Sequence, residues 1–196
     1  KKTKWITNVF SRGRVHLIRA KHDCIITSSK TVIDDNPHFT CRINGLSNKS
    51  PARFILDKNL ITPLTSNIYK DTSKHKTVVF YNNFNVKKIK NFKKKNIIFI
   101  KVKTDKFGKL NLKEILSLIK KLGYSRILVE AGASLSESFL KYGFVDSLNL
   151  FISNKKLNTL GRNNIKKCLT LTTKNKKKCI EKVNLFGDKL ITYNMQ

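Results

Sequence analysis

Polar side chains able to bind a ligand are crowded into residues 31–42, T-V-I-D-D-N-P-H-F-T-C-R. This segment, the polar elbow, follows an apolar run at residues 23–28 that predicts a buried strand. Asn36 precedes Pro37, an order that disfavours helical backbone and favours a turn. Open α/β sheets bind their ligands where strands end, so the polar elbow is a candidate binding segment. The alternative is a turn with only a structural role.

A second candidate segment follows a short apolar run at residues 126–129, R-I-L-V. Glu130 ends this predicted strand, and the glycine turn, residues 132–138 (G-A-S-L-S-E-S), opens a helix. Backbone N–H groups at the start of a helix favour a bound phosphate, and Ser134 and Ser136 add hydroxyl donors. The segment lacks the G-x-G-x-x-G dinucleotide fingerprint. A plain tight turn, with Glu130 near the helix start for electrostatic reasons, is the alternative. If both segments bind a ligand, we expect the polar elbow and the glycine turn to face each other across a common cleft.

The chain is strongly basic, with 41 Lys and Arg against 12 Asp and Glu and a formal net charge of +29. Such a balance favours anionic ligands, nucleic acid among them. The densest lysine runs, residues 87–95 and 174–178, lack aromatic residues interleaved at the spacing on which successive bases stack. We therefore predict that these runs are solvated surface and that the chain has no specific nucleic-acid partner.

Arginine is distributed unevenly, because five of the seven arginines fall within the first 53 residues. Elsewhere the chain uses lysine almost throughout. The planar guanidinium binds phosphate or carboxylate through two parallel hydrogen bonds, which lysine cannot do. The first third of the chain is therefore the predicted region for an anionic ligand. The five residues are Arg12, Arg14, Arg19, Arg42 and Arg53.

Cysteine and histidine spacing argues against a metal site. The four cysteines show no C-x-x-C pair, and the four histidines form no recognisable ligand pattern. Buried free thiols in a reducing compartment are the expectation. No apolar run approaches the length of a membrane span, so we expect no membrane partner.

Strand-like and helix-like segments alternate along the chain, which predicts an α/β domain with a largely parallel sheet. A closing hairpin at residues 180–193 would add an antiparallel edge to that sheet. The predicted helices cover residues 9–21, 110–122 and 135–142, and the predicted strands cover residues 23–28, 52–56, 77–81, 96–102, 126–129 and 145–152.

Six segments, in order and in register, resemble the reductase domain of the bifunctional riboflavin-biosynthesis deaminase–reductase, which has a dihydrofolate-reductase-like fold. The segments are W-I-T at 5–7, L-I-R-A at 17–20, the polar elbow at 31–42, P-A-R-F-I-L-D at 51–57, I-L-V-E-A-G-A-S-L at 127–135 and F-V-D-S-L-N-L-F-I at 144–152.

The resemblance implies a mixed, mostly parallel sheet flanked by helices, with a C-terminal antiparallel hairpin. It implies one reductase domain over residues 1–196 that lacks the family's first strand, so we expect the natural product to extend further toward its N-terminus. The zinc deaminase signature is not in the sequence. A deaminase domain fused upstream is therefore an expectation about the natural product.

The implied activity is NADPH-dependent reduction of 5-amino-6-(5-phosphoribosylamino)uracil to the ribitylamino compound, by a cytoplasmic homodimer without a metal. Two other readings stay open: a related diaminopyrimidine or pteridine reductase of the same fold, and a basic RNA-binding domain without enzymatic activity.

The resemblance also implies site residues. Lys58 stands where the family has a small hydroxyl residue that touches the cofactor; it either meets the 2′-phosphate of NADPH or follows the lysine bias. No residue is assigned as a general acid. The implied substrate contacts are Thr3, Arg19, Phe39, Arg42 and Glu130. The implied cofactor contacts are Trp5, Thr31, Asp35, Lys58, Gly132, Ala133, Ser134, Leu135, Ser136, Glu137 and Ser138.

Overall fold

The computed structural model describes residues 5–83, 88–90, 96–155 and 166–196. The chain divides into two compact units. The central unit is Leu17–Gly132, and the terminal unit combines Lys1–His16 with Ala133–Gln196. Helix α1, Val9–Ala20, contributes residues to both units. The expectation of one reductase domain over the whole chain stays a prediction.

The central unit is built on a five-stranded parallel sheet with strand order β4-β3-β2-β1-β5. Strands β2 and β3 are buried throughout, and so is most of β1, because their apolar runs pack on both faces of the sheet. The strands are β1 Cys24–Ser28, β2 Ala52–Leu56, β3 Thr77–Tyr81, β4 Ile97–Lys101 and β5 Ile127–Val129.

Helices α2, Ser29–Asp35, and α3, Leu112–Lys121, also belong to this unit, with 3-10 turns at Ser47–Lys49 and Asn67–Tyr69. One apolar cluster draws residues from the sheet, α2 and the polar elbow. Its members are Ile25, Val32, Phe39, Ile55, Leu60, Ile68, Tyr69, Val79, Tyr81, Ile89 and Ile97. The polar elbow is therefore anchored to the core through the apolar side chains that it contributes to this cluster.

Helix α2 begins and ends at residues suited to those positions. The Ser28 hydroxyl accepts a hydrogen bond from the Thr31 N–H, which satisfies a donor in the first turn. Asn36 ends the helix in the left-handed conformation, with φ 44°, and its N–H donates to the Val32 carbonyl. Asparagine tolerates this conformation better than most residues, so the turn predicted at Asn36 begins there.

The terminal unit holds a three-stranded antiparallel sheet with order β6-β8-β7. Its strands are β6 Ser147–Ile152, β7 Lys178–Ile180 and β8 Lys189–Asn194, and its other helices are α4 Ala133–Lys141 and α5 Lys166–Thr173. The Asn8 N–H and the Ser11 hydroxyl both donate to Asp188 Oδ2, at 2.9 and 2.7 Å. This contact joins the start of α1 to the turn before β8, and the hydrogen bond from Asn8 lowers the pKa of Asp188.

The predicted strands and helices are confirmed, with ends within two residues of those expected. One expectation about the sheet was wrong. The described antiparallel strands do not extend the parallel sheet; β8 pairs with β6 on one side and β7 on the other. Helix α5 was not predicted, because its sequence, K-K-C-L-T-L-T-T, is rich in threonine, a weak helix former.

Asp23 ties the starts of β1 and β5 together. Its carboxylate accepts hydrogen bonds from the Arg126 N–H at 2.8 Å and from the Ser125 N–H at 3.1 Å. The Arg126 guanidinium pairs with the other oxygen at 2.9 Å. These hydrogen bonds, that of the Arg126 backbone foremost, hold the pKa of Asp23 well below its usual range.

Replacing Asp23 with Asn should lower the free energy of unfolding at pH 7 by about 1–2 kcal/mol, because a charged acceptor of several bonds is lost. A carboxyl group whose pKa is lowered on folding stabilises above its unfolded pKa of about 3.9, and the effect disappears as pH falls through the folded value. The difference between wild type and D23N, measured by urea unfolding, should therefore shrink below about pH 4. Asp34→Asn, at an exposed pair with Lys30, is the control expected to show little change. If the difference in free energy of unfolding between wild type and D23N did not change with pH, the ionised Asp23 carboxylate would not be the group that ties the two strands.

Candidate active site

The topology of the central unit defines where a ligand site belongs. From β1 the chain proceeds through β2 and β3 to β4 in one direction, and then returns to place β5 on the other side of β1. The carboxyl ends of β1 and β5 therefore flank a topological switch point, the usual ligand crevice of open α/β sheets. The N–H of Glu130 donates to the Ile26 carbonyl at 3.0 Å, which sets the chain leaving β5 beside β1.

An arginine–glutamate pair lies at this switch point. Arg19, in the last turn of α1, donates from Nε to Glu130 Oε2 at 2.9 Å and from Nη2 to Glu130 Oε1 at 2.6 Å. The geometry is bidentate, the strongest form of such a pair. The Arg19 side chain is 11% exposed and that of Glu130 is 30% exposed. Both groups are thus partly shielded from water yet reachable by a ligand.

The polar elbow supports Arg19 from its other side. The third nitrogen, Nη1, donates to the Thr40 carbonyl at 3.0 Å. The guanidinium carbon lies 5.5 Å from the centre of the Phe39 ring, within cation–π range. Phe39 is itself buried and has φ 55°, a conformation that non-glycine residues adopt only where their surroundings hold them. Arg19 is therefore held in a defined plane with all three nitrogens engaged.

Thr31 and Gly132 form a second link across the switch point. The Gly132 N–H donates to Thr31 Oγ1 at 3.2 Å, and the same oxygen lies 3.0 Å from the Ser28 hydroxyl. A Cβ built on Gly132 would lie 3.9 Å from Thr31 Oγ1, an ordinary contact. The polar elbow and the first residue of the glycine turn therefore meet, as the sequence predicted.

Other predicted site residues of the central unit lie on neighbouring segments. Arg42 is exposed at the end of the polar elbow. Asp35 is exposed at the end of α2, where desolvation and then the nearby Asp34 raise its pKa. Lys58 follows β2 and donates from Nζ to the Gly108 carbonyl at 2.6 Å.

The remaining predicted site residues are not part of the central unit. Trp5 belongs to the terminal unit, where its ring lies 4.8 Å from the Arg12 guanidinium. Residues 133–138 form the first turns of α4 in the same unit, and the Ser138 hydroxyl donates to the Ser134 carbonyl. Thr3 lies outside the described residues, as does most of the lysine run at 87–95. The structure thus brings together Arg19, Phe39 and Glu130, and separately Thr31 and Gly132.

One backbone group of the site was not predicted, and one arginine was predicted in the wrong place. The Thr40 carbonyl is a backbone group, so its residue type carries no signal. Arg53, counted with the arginines expected near an anionic ligand, is fully buried in β2. The signal was available, since Arg53 interrupts the apolar run A-R-F-I-L, where a charged side chain needs internal partners.

Within the described residues, no group of three or more His, Cys, Asp or Glu side chains is arranged to hold a metal ion. A helix of the length and apolarity needed to cross a membrane is likewise not found among them.

The chain is similar to known proteins along nearly its whole length. The family model for the RibD C-terminal domain matches residues 1–182. The chain belongs to the RibD C-terminal domain family. The riboflavin biosynthesis protein RibD of Aquifex aeolicus is 35% identical over 153 residues, covering 78% of the chain and 41% of that protein. The 5-amino-6-(5-phosphoribosylamino)uracil reductase of Buchnera aphidicola subsp. Acyrthosiphon pisum is 32% identical, covering 78% of the chain and 76% of that protein.

Solved structures of RibD proteins share the fold. Acinetobacter baumannii RibD matches with a TM-score of 0.76 and 23% identity, over 98% of the chain and 52% of that protein. The Saccharomyces cerevisiae riboflavin biosynthesis reductase Rib7 matches with a TM-score of 0.71 and 16% identity, over 95% of the chain and 81% of that protein. The α/β fold inferred from the resemblance is therefore confirmed, and the chain spans less than half of the length of most RibD relatives it matches.

The link between Thr31 and Gly132 can be tested directly. Thr31→Val keeps the shape of the side chain but removes the oxygen that accepts the Gly132 N–H. We expect the amide of Gly132 to exchange with solvent faster, and the free energy of unfolding to fall by about 1 kcal/mol. Thr31→Ser keeps the oxygen and should retain most of the protection. Unchanged exchange of the Gly132 amide in T31V would contradict the link.

Proposed function

We propose that this RibD C-terminal domain carries out the NADPH-dependent reduction of 5-amino-6-(5-phosphoribosylamino)uracil to 5-amino-6-(5-phosphoribitylamino)uracil. The observation that carries the proposal is the bidentate Arg19–Glu130 pair at the switch point between β1 and β5. A relative 32% identical to the chain bears the name of this reductase. The proposal places the substrate against the pair and the polar elbow.

The substrate carries groups that complement Arg19 and Glu130 in charge and hydrogen bonding. Its phosphate is an anion for which the planar guanidiniums of Arg19 and the exposed Arg42 are suited donors. Glu130 accepts hydrogen bonds from N–H or hydroxyl groups of the pyrimidine or pentose. The Phe39 ring, fixed below Arg19, limits how far the guanidinium tilts. Thr3 completes the proposed set of substrate contacts.

The residues around the switch point also fit a phosphorylated dinucleotide. Thr31 and Gly132 meet where such cofactors bind in open α/β sheets. Lys58 brings a cation to the neighbouring strand end, suited to the 2′-phosphate. Asp35, exposed at the end of α2, is a candidate acceptor for hydroxyl groups of the cofactor. We propose that Trp5 and residues 132–138 complete the cofactor contacts.

When bound, NADPH would supply a hydride to the carbon of the opened pentose ring, and a proton from water would complete the reduction at the adjoining nitrogen. The protein's task is then alignment and exclusion of water, for which a rigid Arg19 and a buried Phe39 are suited. We assign no residue of this chain as a general acid.

The assembly belongs to the same proposal. The chain spans 41% of the Aquifex aeolicus RibD protein, which is consistent with a reductase domain fused to an upstream zinc deaminase. We propose a homodimer that works in the cytoplasm. Cys24, Cys41 and Cys168 are buried free thiols, as is usual in a reducing compartment.

The activity test is oxidation of NADPH by the gene product containing this chain, followed as loss of nicotinamide absorbance with the phosphorylated pyrimidine present. Arg19→Lys should raise the KM for this substrate by roughly tenfold or more, because lysine cannot reproduce a bidentate contact, and should leave the KM for NADPH nearly unchanged. Arg126→Lys, at a paired arginine on the far edge of the same strands, is the matched control.

Three results would contradict the proposal. Absence of turnover with the phosphorylated pyrimidine would refute the activity. Equal turnover of a pteridine would favour a related reductase of the same fold. Tight RNA binding with a steep salt dependence and no thermal stabilisation by NADPH would favour the RNA-binding alternative.

Substitution of Lys58 tests whether this residue contacts the cofactor or only reflects the lysine-rich composition of the chain. Lys58→Met should raise the KM for NADPH by roughly tenfold while changing that for NADH little, since only NADPH carries the 2′-phosphate. Lys113→Met, at an exposed lysine of α3, should change neither. Equal effects of K58M on the two cofactors would show that Lys58 does not recognise the 2′-phosphate.

A further inference from the structure

Arg53 is the largest fully buried side chain of the central unit. Its charge is not used in the proposed reaction. It lies in β2, paired in register with Ile25 of β1 and Thr77 of β3. A charged group is almost never fully buried unless it is paired, so the partners of Arg53 define its role.

The guanidinium of Arg53 is satisfied at every nitrogen. Nη1 forms an ion pair with Asp71 at 2.5 Å and Nη2 donates to the His75 carbonyl at 3.2 Å. Nε and Nη2 both donate to Thr77 Oγ1, at 3.1 and 2.8 Å. These partners all belong to β3 or the segment that precedes it. Burial lowers the pKa of Arg53 and Asp71 opposes this, so the guanidinium stays charged.

One contact of Arg53 reaches the candidate active site. Nη1 also donates to the carbonyl of His38, at 3.3 Å. His38 immediately precedes Phe39, whose φ of 55° requires support from its surroundings. Beyond Phe39, the chain is held again where the Cys41 N–H donates to the Ser50 hydroxyl at 3.0 Å. Arg53 therefore fixes the upstream end of the short segment that lies under Arg19.

We infer that Arg53 is a positioning residue for the substrate site, which acts by holding the His38 carbonyl so that Phe39 and Thr40 keep Arg19 in the plane that pairs with Glu130. The charge of Arg53 is itself neutralised by Asp71, and its donors are used on the protein. Its contribution to binding passes through the polar elbow, with no contact to the ligand. The kinetic part of this inference rests on the proposed function, whereas the structural part does not.

Arg53→Lys tests the inference because lysine keeps the charge for Asp71 but cannot reach three acceptors at fixed angles. In ¹⁵N spectra, the Nε–H signal of Arg19, identified by its loss in Arg19→Lys, should be protected from solvent exchange in the wild type by Glu130. We expect roughly tenfold or greater loss of this protection in R53K. Ile115→Ala, at a fully buried residue of α3, controls for general destabilisation and should leave the Arg19 signal protected.

The kinetic measurement asks whether Arg53 acts through Arg19. R53K should raise the KM for the phosphorylated pyrimidine roughly 10- to 100-fold with little change in the KM for NADPH. In an Arg19→Lys background, the same substitution should change that KM by no more than about twofold, since residues that act through one another are not additive. A purely structural role predicts lower thermal stability with an unchanged KM and additive effects.

A milder variant covers the case in which R53K does not fold. Asp71→Asn removes the charge of Asp71 but keeps an Oδ1 oxygen that can accept from Arg53, and Asp71 is partly exposed, so the loss is smaller than at a fully buried pair. It should reduce Arg19 protection in the same direction by a smaller factor. Retained protection in both variants, or in whichever of them folds, would overturn the inference. Lost protection in a protein without reductase activity would uphold the positioning role and refute the proposed function.

Discussion

The pairing of β1 with β5 is the constraint on which the site depends. Cys24, Ile25 and Ile26 pair in register with Ile127, Leu128 and Val129, and Asp23 fixes the start of both strands. Because parallel strands in register end at the same level, the chain leaves them at neighbouring positions. Every contact of the candidate site between the polar elbow or α1 and residues 130–132 follows from this register. A shift by one residue would turn Glu130 to the opposite face of the sheet.

Arg53 and Arg19 carry the same charge, but they differ in burial and therefore in the role each can have. Arg53 is wholly enclosed, and removing its partner would leave an uncompensated buried cation, which typically costs about 3–5 kcal/mol at fully buried sites. Arg19 is slightly exposed and Glu130 more so, so part of that penalty is relieved by solvent. A ligand can therefore compete for Arg19 and Glu130 in a way that it cannot compete for Arg53. Arg53 is therefore suited to stabilising the polar elbow, and Arg19 is suited to binding a ligand.

The sequence predicted the elements well because the apolar runs of β1 to β4 are unambiguous. Two helices also end at residues suited to turns, α2 at Asn36 and α3 just before Gly123. It also predicted that the polar elbow and the glycine turn converge, since both follow strands that alternate with helices. It could not give the pairing of β8 with β6, because the edge chosen by an antiparallel strand depends on neighbours far along the chain. The distinction between Arg53 and Arg19 was present in the sequence, because Arg53 interrupts a buried apolar run, but the count of arginines treated the two residues alike.

The acidic residues help to explain why so basic a chain can offer a site to anions. Eleven of its twelve carboxylates accept hydrogen bonds or ion pairs within the described structure, and several of these contacts hold backbone in place. Asp57, for example, is buried and accepts from the N–H groups of Ile61 and Thr62. Twelve carboxylates cannot balance 41 basic residues wherever they lie, so the field of a chain with net charge +29 favours the approach of anions. That field is screened by salt and is not specific, whereas the paired, oriented Arg19 and Glu130 supply direction at short range. The lysine excess can therefore accelerate the arrival of a phosphorylated ligand without deciding which ligand stays.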